Sequence, residues 1–210
     1  MMKVGTDTIV SGWKIDSDDE QVSLIRDMVF ESIKDPLVIW VARKIVADCP
    51  SRDWECELNA IYYTVKEGEI PIPVDGGKQV VYVPSLRFVD DVKNIDTYPT
   101  AGKILRWMAQ GANGEDCDGH TILVASLLMA IGFLTGCAIV SKDGVTYSHI
   151  FPLAGVPKNN PQGWMALDTT VKEAFPGWLP PRGSMSKYNV RKMKIYAFTD
   201  EKVLKGRRLF

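Results

Sequence analysis

Three residues in the second half of the chain have the types that a cysteine-dependent acyl-transfer site requires. Cys117 stands at the start of a long apolar run, His149 lies in YSHIFPL, and Asp168 ends WMALD. A thiol attacks an amide carbonyl as the thiolate, a histidine accepts its proton, and a carboxylate fixes the orientation of the histidine ring. We therefore predict a catalytic triad that forms a thioester on Cys117.

The residues around Cys117 predict that it begins a buried helix. Glu115 and Asp116 are typical of a helix start, and the apolar stretch continues until Gly132. The positive end of the helix dipole lowers the pKa of a thiol placed there. Asp116 and Asp118 act in the opposite sense, because like charge raises that pKa. The sequence leaves open which effect is larger.

The histidine and the aspartate fall on two consecutive predicted strands. Alternation along YSHIFPL puts Tyr147, His149 and Phe151 on one face, and we expect this face to meet the start of the helix. Asp168 ends the next strand, and neighbouring antiparallel strands bring such residues side by side. The two strands would thus place the imidazole of His149 and the carboxylate of Asp168 next to Cys117.

Other interpretations of these residues remain open. A cysteine on a buried helix, a histidine on a strand and an aspartate at a strand end each occur as ordinary structural residues. Cys117, His120 and His149 could instead bind zinc, with a neighbouring aspartate completing the shell. We favour the triad because it also accounts for Asp168.

The elements that must position these residues are helices in the first half of the chain and strands in the second. Apolar spacing predicts helices in QVSLIRDMVFESIKD, PLVIWVARKIVADCP, RDWECELNAIYYTVKE and TAGKILRWMAQG. IPIPVDGGKQVVYVPSLRFV is typical of a loop with a brief extended segment. CAIVSK, VTYSHIFPLAG, GWMALDTT and KMKIYAF predict strands. Helices that precede strands favour an α+β fold with an antiparallel sheet.

One apolar run, from Thr121 to Val140, is long enough to cross a bilayer. Gly132 and Gly136 interrupt it, and Ser126 and Thr135 lie inside it. A buried helix followed by a buried strand explains both features. We therefore expect no membrane span.

Composition narrows the functional classes. The chain has 210 residues, 46% of them apolar, so one sizeable core can be buried in a single domain with elaborated ends. The 25 basic and 26 acidic residues nearly cancel without forming blocks, so we expect no nucleic-acid partner. The first twenty residues lack the pattern of a secretory signal, and we expect the protein in a cytoplasm.

Cys49 and Cys56 are weaker candidates for a chemical role than Cys117. Cys49 and Cys56 bracket PSRDWE and could pair or bind a metal ion. No histidine lies nearby to complete a zinc shell, and four cysteines are too few for a disulfide scaffold. We interpret Cys49 and Cys56 as structural thiols.

Three segments together resemble a known family. GEDCDGHTILVASLLMAIG, YSHIFPLAG and GWMALDTT resemble the nucleophile, histidine and aspartate motifs of the transglutaminase-like cysteine enzymes, in the order that family uses. The phage-encoded branch is the most similar. There the helical stretch from Asp35 and the FPGWLPP ending are also alike. Two departures are that Glu115 replaces a usual glycine and Thr169 replaces a usual proline.

The resemblance implies a papain-like α+β core at residues 35–181, in which Cys117 is the nucleophile, His149 the base and Asp168 the orienting carboxylate. Residues 1–34 would be an N-terminal extension with a short helix, and residues 182–210 a C-terminal strand and basic tail packed on the core. The oxyanion hole would combine the Cys117 backbone N–H with an upstream side chain. Tyr82 is the first candidate and Gln110 the second.

The resemblance also implies a function and a setting. We expect acyl transfer on a peptide or glutamine amide, with water favoured over a lysine amine as the acceptor, and neither cofactor nor metal. The partners would be a protein or peptide substrate and other phage particle proteins, in a bacterial host cytoplasm or carried in the virion. The alternative is a non-catalytic structural component of a phage particle with the same fold.

Overall fold

Helices and an antiparallel sheet make up most of the part of the chain that the structure, a computed structural model, describes: residues 7–13, 17–90, 95–180, 190–198 and 204–205. In chain order the elements are β1 (Ile9–Trp13), α1 (Asp18–Ser32), α2 (Pro36–Ile45), α3 (Trp54–Glu67), β2 (Glu69–Val74), β3 (Gln79–Pro84), β4 (Arg87–Phe88), β5 (Ile95–Pro99), α4 (Ala101–Ala109), β6 (Gly114–Glu115), α5 (Cys117–Ala130), β7 (Thr135–Ser141), β8 (Tyr147–Val156), β9 (Gly163–Ala166), β10 (Lys192–Ala197) and β11 (Leu204–Lys205). The predicted α+β class with an antiparallel sheet is confirmed.

The helices of the first half begin at residues suited to cap them. The side chains of Ser17, Asp35 and Asp53 accept hydrogen bonds from the first-turn N–H groups of α1, α2 and α3. Pro36 is the first residue of α2, where its missing N–H costs nothing. Gly68 directly follows the last residue of α3.

Helix α5 is the centre of the molecule. Its residues from Asp118 to Leu128 are all buried. Helices α1 to α4 surround it, and strands β7 and β8 cover its remaining side. The prediction of a buried helix followed by a buried strand across 121–140 is therefore confirmed. In the described part of the chain, no helix is both long enough and apolar enough to span a bilayer.

The main sheet has the strand order β11–β10–β7–β8–β9, and all neighbours are antiparallel. Its two faces pack against different apolar clusters. Ile139 and Ile150 belong to the large core around α5, whereas Val140 and Phe151 belong to a second cluster on the opposite face. The sheet is thus buried on both sides, and β7 is buried along its whole length.

The two ends of the chain join this architecture. Val22, Ile25 and Met28 of α1 lie in the same core as α5, and β10 pairs with β7 inside the main sheet. The basic tail lies outside the described residues, apart from the short strand β11.

One local prediction was wrong, and one two-stranded ribbon was not predicted. The segment expected to be mostly loop forms the hairpin of β2 and β3, in which Ile70 pairs with Val83. Pro71 and Pro73 are two residues apart, so their nitrogens face the same side of β2, and a hairpin strand needs partners on the other side only. Strands β1 and β5 also form a ribbon that no alternation in the sequence revealed.

The interpretation of two cysteines as structural thiols was also wrong. Cys49 and Cys56 form a disulfide with a Cα–Cα distance of 5.7 Å. Cys49 follows the end of α2 and Cys56 lies in the first turn of α3, so the short connection between the helices brings them together.

The buried contact between α2 and α4 gives a test of the fold. Asp35 is 1% exposed; its carboxylate accepts a hydrogen bond from the Leu37 N–H at 2.9 Å and another from the Arg106 guanidinium at 2.8 Å. Replacing Asp35 with Ala should lower the free energy of unfolding by about 2 to 4 kcal/mol, because a helix cap and a charge partner are lost together. Asp53→Ala removes a cap alone and should cost about 1 kcal/mol. Urea denaturation measures both, and equal losses would contradict this account.

Candidate active site

Asp168 lies just beyond the end of β9 and is 1% exposed. One carboxylate oxygen lies 2.7 Å from Nε2 of His149. The other accepts hydrogen bonds from the backbone N–H and the hydroxyl of Thr170, at 3.0 and 2.7 Å. Burial alone would raise the pKa of Asp168, but the hydrogen bonds from His149 and Thr170 outweigh burial and hold that pKa below its usual range. The site therefore contains a buried carboxylate that stays ionised.

Helix α3 supports the backbone of the same turn. The Tyr62 hydroxyl donates a hydrogen bond to the Asp168 carbonyl at 3.0 Å. The Lys66 ammonium donates to that hydroxyl at 3.1 Å and also to the Ala174 carbonyl. These contacts fix the turn that carries the carboxylate.

His149 stands at an irregularity in strand β8. Val140 pairs with His149, but the next residue of β7, Ser141, pairs with Tyr147, which leaves Ser148 as an extra residue. Such a bulge turns the neighbouring side chains. Tyr147 packs on the side of α5, whereas Phe151 belongs to the cluster on the opposite face. The prediction that Tyr147, His149 and Phe151 share one face was therefore wrong, and His149 lies where the strand changes sides.

Cys117 is the first residue of α5, as predicted. The Asp116 carboxylate accepts hydrogen bonds from the N–H groups of Asp118 and Gly119, at 2.9 and 3.1 Å, so the N–H of Cys117 is not part of this cap. Cys117 is partly exposed, while Cys137, the other cysteine outside the disulfide, is buried. The nucleophile candidate is thus the cysteine that is partly exposed, although its sulfur is itself shielded from solvent.

The surroundings of Cys117 decide the question that the sequence left open about its thiol. Burial raises the pKa of the Cys117 thiol well above its usual value, and the carboxylates of Asp118 and Asp116 raise it further. The backbone N–H of Ile150 lowers it, but by less. The resting thiol is therefore protonated.

Cys117 and His149 line the same cavity, of about 240 Å³, together with Gln21 and Phe88. Within the described residues, no hydrogen bond joins the thiol to the imidazole. Because Nε2 of His149 is engaged by Asp168, Nδ1 is the ring nitrogen left to accept the thiol proton. Hydrogen bonds of catalytic groups are often long before substrate binds.

His149 also lines a second cavity, of about 340 Å³. Besides His149 and Asp168, its walls are formed by apolar and polar side chains: Phe88, Val140, Val171, Trp178, Pro180 and Val190 are apolar, and Asp90, Lys142, Ser148 and Thr170 are polar. The imidazole therefore borders two cavities, one of which contains Cys117.

Three residues at the site have roles that the sequence did not predict. Gln21 of α1 donates a hydrogen bond to the Asp118 carboxylate at 3.1 Å. His120 is 1% exposed, and its Nδ1 lies 2.9 Å from the hydroxyl of Thr169. A polar residue inside an otherwise apolar helix face was the available signal for both Gln21 and His120.

The two oxyanion candidates lie elsewhere. Tyr82 is 58% exposed on the β2–β3 hairpin, and Gln110 is exposed at the end of α4. Neither is among the residues lining the cavity that contains Cys117. Their role stays a prediction without support from this geometry.

The alternative of a zinc site gains no support. Among residues 7–13, 17–90, 95–180 and 190–198, no group of three or more His, Cys, Asp and Glu side chains is arranged to hold a metal ion. His120 points to Thr169 instead of towards a shared centre with Cys117 and His149.

Comparison with known proteins adds no identification. No family model matches the chain, and no curated protein matches it. The function must therefore be argued from the site.

The effect of Asp118 on the thiol can be measured. Asp118→Asn should lower the pKa of Cys117, because it removes the nearest negative charge while the amide oxygen can still accept the hydrogen bond from Gln21. We expect the rate of Cys117 alkylation by iodoacetamide at pH 7 to rise roughly threefold to tenfold, since one pKa unit is a tenfold change in thiolate. Asp96→Asn, a charge loss in the same cavity, is the control. An unchanged rate in Asp118→Asn would refute this electrostatic account.

The buried His120 predicts a pH-dependent stability. Burial lowers the pKa of His120 to about 4 from its ordinary value of 6.5; the Arg87 backbone carbonyl and Asp168 act in the opposite sense, and His149 acts in the same sense as burial. Below about pH 6.5 the unfolded chain thus binds a proton at His120 that the folded chain does not bind. The free energy of unfolding therefore falls as the pH drops. Between pH 7 and pH 5 the wild type should lose about 2 kcal/mol more than His120→Asn in urea denaturation. Parallel losses would contradict this assignment.

Proposed function

We propose that the protein is a cysteine-dependent enzyme with a transglutaminase-like, papain-like fold, which transfers the acyl group of an amide through a thioester on Cys117. The observation that carries this proposal is the buried Asp168 carboxylate held 2.7 Å from Nε2 of His149, on a cavity that also contains Cys117. The thiol at the start of the helix can serve as the nucleophile, the histidine as the base, and the carboxylate as the group that orients the histidine.

The chemistry would proceed in two halves. His149 accepts the thiol proton at Nδ1, and the Cys117 sulfur attacks the carbonyl carbon of the amide. The carbonyl oxygen becomes an oxyanion, for which the Cys117 backbone N–H is the candidate donor. The C–N bond then breaks, the departing amine takes the proton from His149, and a thioester remains. Water or a second amine, deprotonated by His149, attacks the thioester and releases Cys117.

The raised pKa of Cys117 determines when the proton moves. A preformed thiolate–imidazolium pair requires a thiol pKa below that of the imidazole, and burial with Asp118 and Asp116 works against this. We therefore infer that His149 removes the proton during the attack on the carbonyl, as a general base does. Asp168 stabilises the imidazolium at that moment.

The acceptor is a second part of the proposal. Water remains the acceptor that we favour, so that the enzyme is a peptidase or an amidase. The second cavity lined by His149 could hold the part of the substrate that carries the departing amine, because His149 must protonate that amine. The same space could admit a lysine side chain, which would give a cross-linking enzyme instead.

One observation favours the alternative of a non-catalytic component of a phage particle. A thiol whose pKa is raised by two neighbouring carboxylates is a poor resting nucleophile. On this alternative the paired His149 and Asp168 would be structural residues, and the site would have no chemistry of its own. Partners and setting remain as the resemblance implies: a peptide or protein substrate, and a bacterial cytoplasm or a virion.

A product assay separates the two functions. The protein is incubated with a tryptic digest of casein in water enriched in oxygen-18, with and without a small primary amine, and the peptides are analysed by mass spectrometry. Hydrolysis places one heavy oxygen at the cleaved amide, whereas transamidation adds the amine. We expect heavy oxygen in the products, and we expect Cys117→Ala to abolish it.

The matched variants are Cys117→Ala and Cys137→Ala, which remove a partly exposed and a buried thiol respectively. The first removes little volume at a residue that lines a cavity, so the fold should persist. Iodoacetamide alkylation of Cys117 should also slow at least about tenfold in His149→Gln, because the base is lost. If no product depends on Cys117 and the rate of Cys117 alkylation is the same in His149→Gln as in the wild type, the enzymatic proposal fails and the structural alternative stands.

A further inference from the structure

A second histidine lies between the nucleophile helix and the turn of the carboxylate, and the proposed chemistry does not use it. His120 is on α5, one helical turn after Cys117, and is 1% exposed. Its Nδ1 lies 2.9 Å from the Thr169 hydroxyl. Thr169 is 6% exposed and directly follows Asp168. The contact therefore joins the two segments that carry the outer members of the candidate triad.

The other ring nitrogen of His120 points towards a third element of the site. The Arg87 backbone carbonyl raises the pKa of His120, although Nε2 has no hydrogen bond of good geometry among the described residues. Arg87 begins β4 and pairs with Gly114 of β6. Strand β6 ends two residues before Cys117. A tautomer with the proton on Nε2 faces this carbonyl and leaves Nδ1 to accept the Thr169 hydroxyl proton.

Other contacts of the Asp168 turn do not reach the nucleophile helix. The Asp168 side chain is bonded to His149 and to Thr170, and its carbonyl accepts from Tyr62 of α3. Of the described hydrogen bonds of residues 168–170, the one from Thr169 to His120 is the one that ends on α5. A buried polar pair of this kind fixes one arrangement where an apolar contact would allow several.

We propose that His120 is a positioning residue that ties the Asp168 turn to the first turn of α5 and so sets the separation between the Cys117 thiol and the His149 ring. The connection closes a loop from Cys117 through His120, Thr169 and Asp168 to His149. It also gives a reason for Thr169, since proline at this position would have no hydroxyl to offer. The role in reactivity rests on the proposed function, whereas the role in holding the His149–Asp168 pair does not.

The test compares isosteric and conservative variants of the intact protein. Thr169→Val removes the hydroxyl at nearly constant volume, and His120→Asn retains a polar atom at the δ position while His120→Leu does not. Thr121→Val is the matched control: Thr121 is the next residue on α5, is fully buried, and has a hydroxyl without a hydrogen-bond partner in the described part of the chain. The readouts are the pH profile of Cys117 alkylation and the downfield proton resonance of the His149–Asp168 hydrogen bond.

We expect Thr169→Val to slow Cys117 alkylation about tenfold, to move the midpoint of its pH profile, and to broaden or shift the downfield resonance. Thr121→Val should change neither readout, and His120→Asn should lie closer to the wild type than His120→Leu. A general loss of stability would affect thermal unfolding in all of these variants without moving the midpoint or the resonance of folded protein.

Two outcomes separate this proposal from the function on which it builds. If Thr169→Val matches Thr121→Val in both readouts, His120 is a packing residue and the positioning role is overturned. If wild-type Cys117 alkylation does not depend on His149 but the resonance still responds to Thr169→Val, the enzymatic function fails while the positioning of Asp168 by His120 stands. Should His120→Leu fail to fold, Thr169→Val still decides the question.

Discussion

The burial of one ionised carboxylate governs the arrangement of this molecule. Asp168 is 1% exposed and keeps its charge, and an unpaired charge in such a place costs several kcal/mol. Hydrogen bonds from His149 and Thr170 offset that cost at the side chain, and Tyr62 holds the backbone. These partners come from β8, from the turn itself and from α3, so the carboxylate can exist only where three parts of the chain meet. The site is therefore a consequence of how the sheet and the helices pack.

The sheet could have buried His149 out of reach of any helix, because β8 presents alternate residues to opposite faces. Ile150 packs towards α5, and strict alternation would place His149 entirely on the other side. The extra residue Ser148 breaks the alternation just before His149. As a result the imidazole borders both the cavity of Cys117 and the cavity of Trp178. A single bulge thus gives one side chain access to two spaces.

Much of this architecture could be predicted from the sequence because it depends on local patterns. Capping residues and apolar spacing predicted the helices and the start of α5 at Cys117, and alternation predicted the main strands. The bulge at Ser148 could not be predicted, since the register of two strands is a property of the pair. The contact of His120 with Thr169 could not be predicted either, because it depends on how α5 packs against the turn that follows β9. Cys49 and Cys56 are close enough in sequence to pair, but their spacing alone did not distinguish a disulfide from free thiols.

The two departures from the motifs of the resembling enzymes each have a local counterpart. Glu115 stands where those enzymes have glycine, and its side chain lies against Gly119: a Cβ added to Gly119 would be 2.5 Å from a Glu115 carboxylate oxygen. Gly119, one helical turn after Glu115, thus leaves room for the Glu115 side chain. Thr169 stands where those enzymes have proline, and its hydroxyl meets His120 on that same first stretch of α5. Glu115 and Thr169 thus both contact the first turn of α5, so the loop of Cys117 and the turn of Asp168 are held by side-chain contacts with that helix.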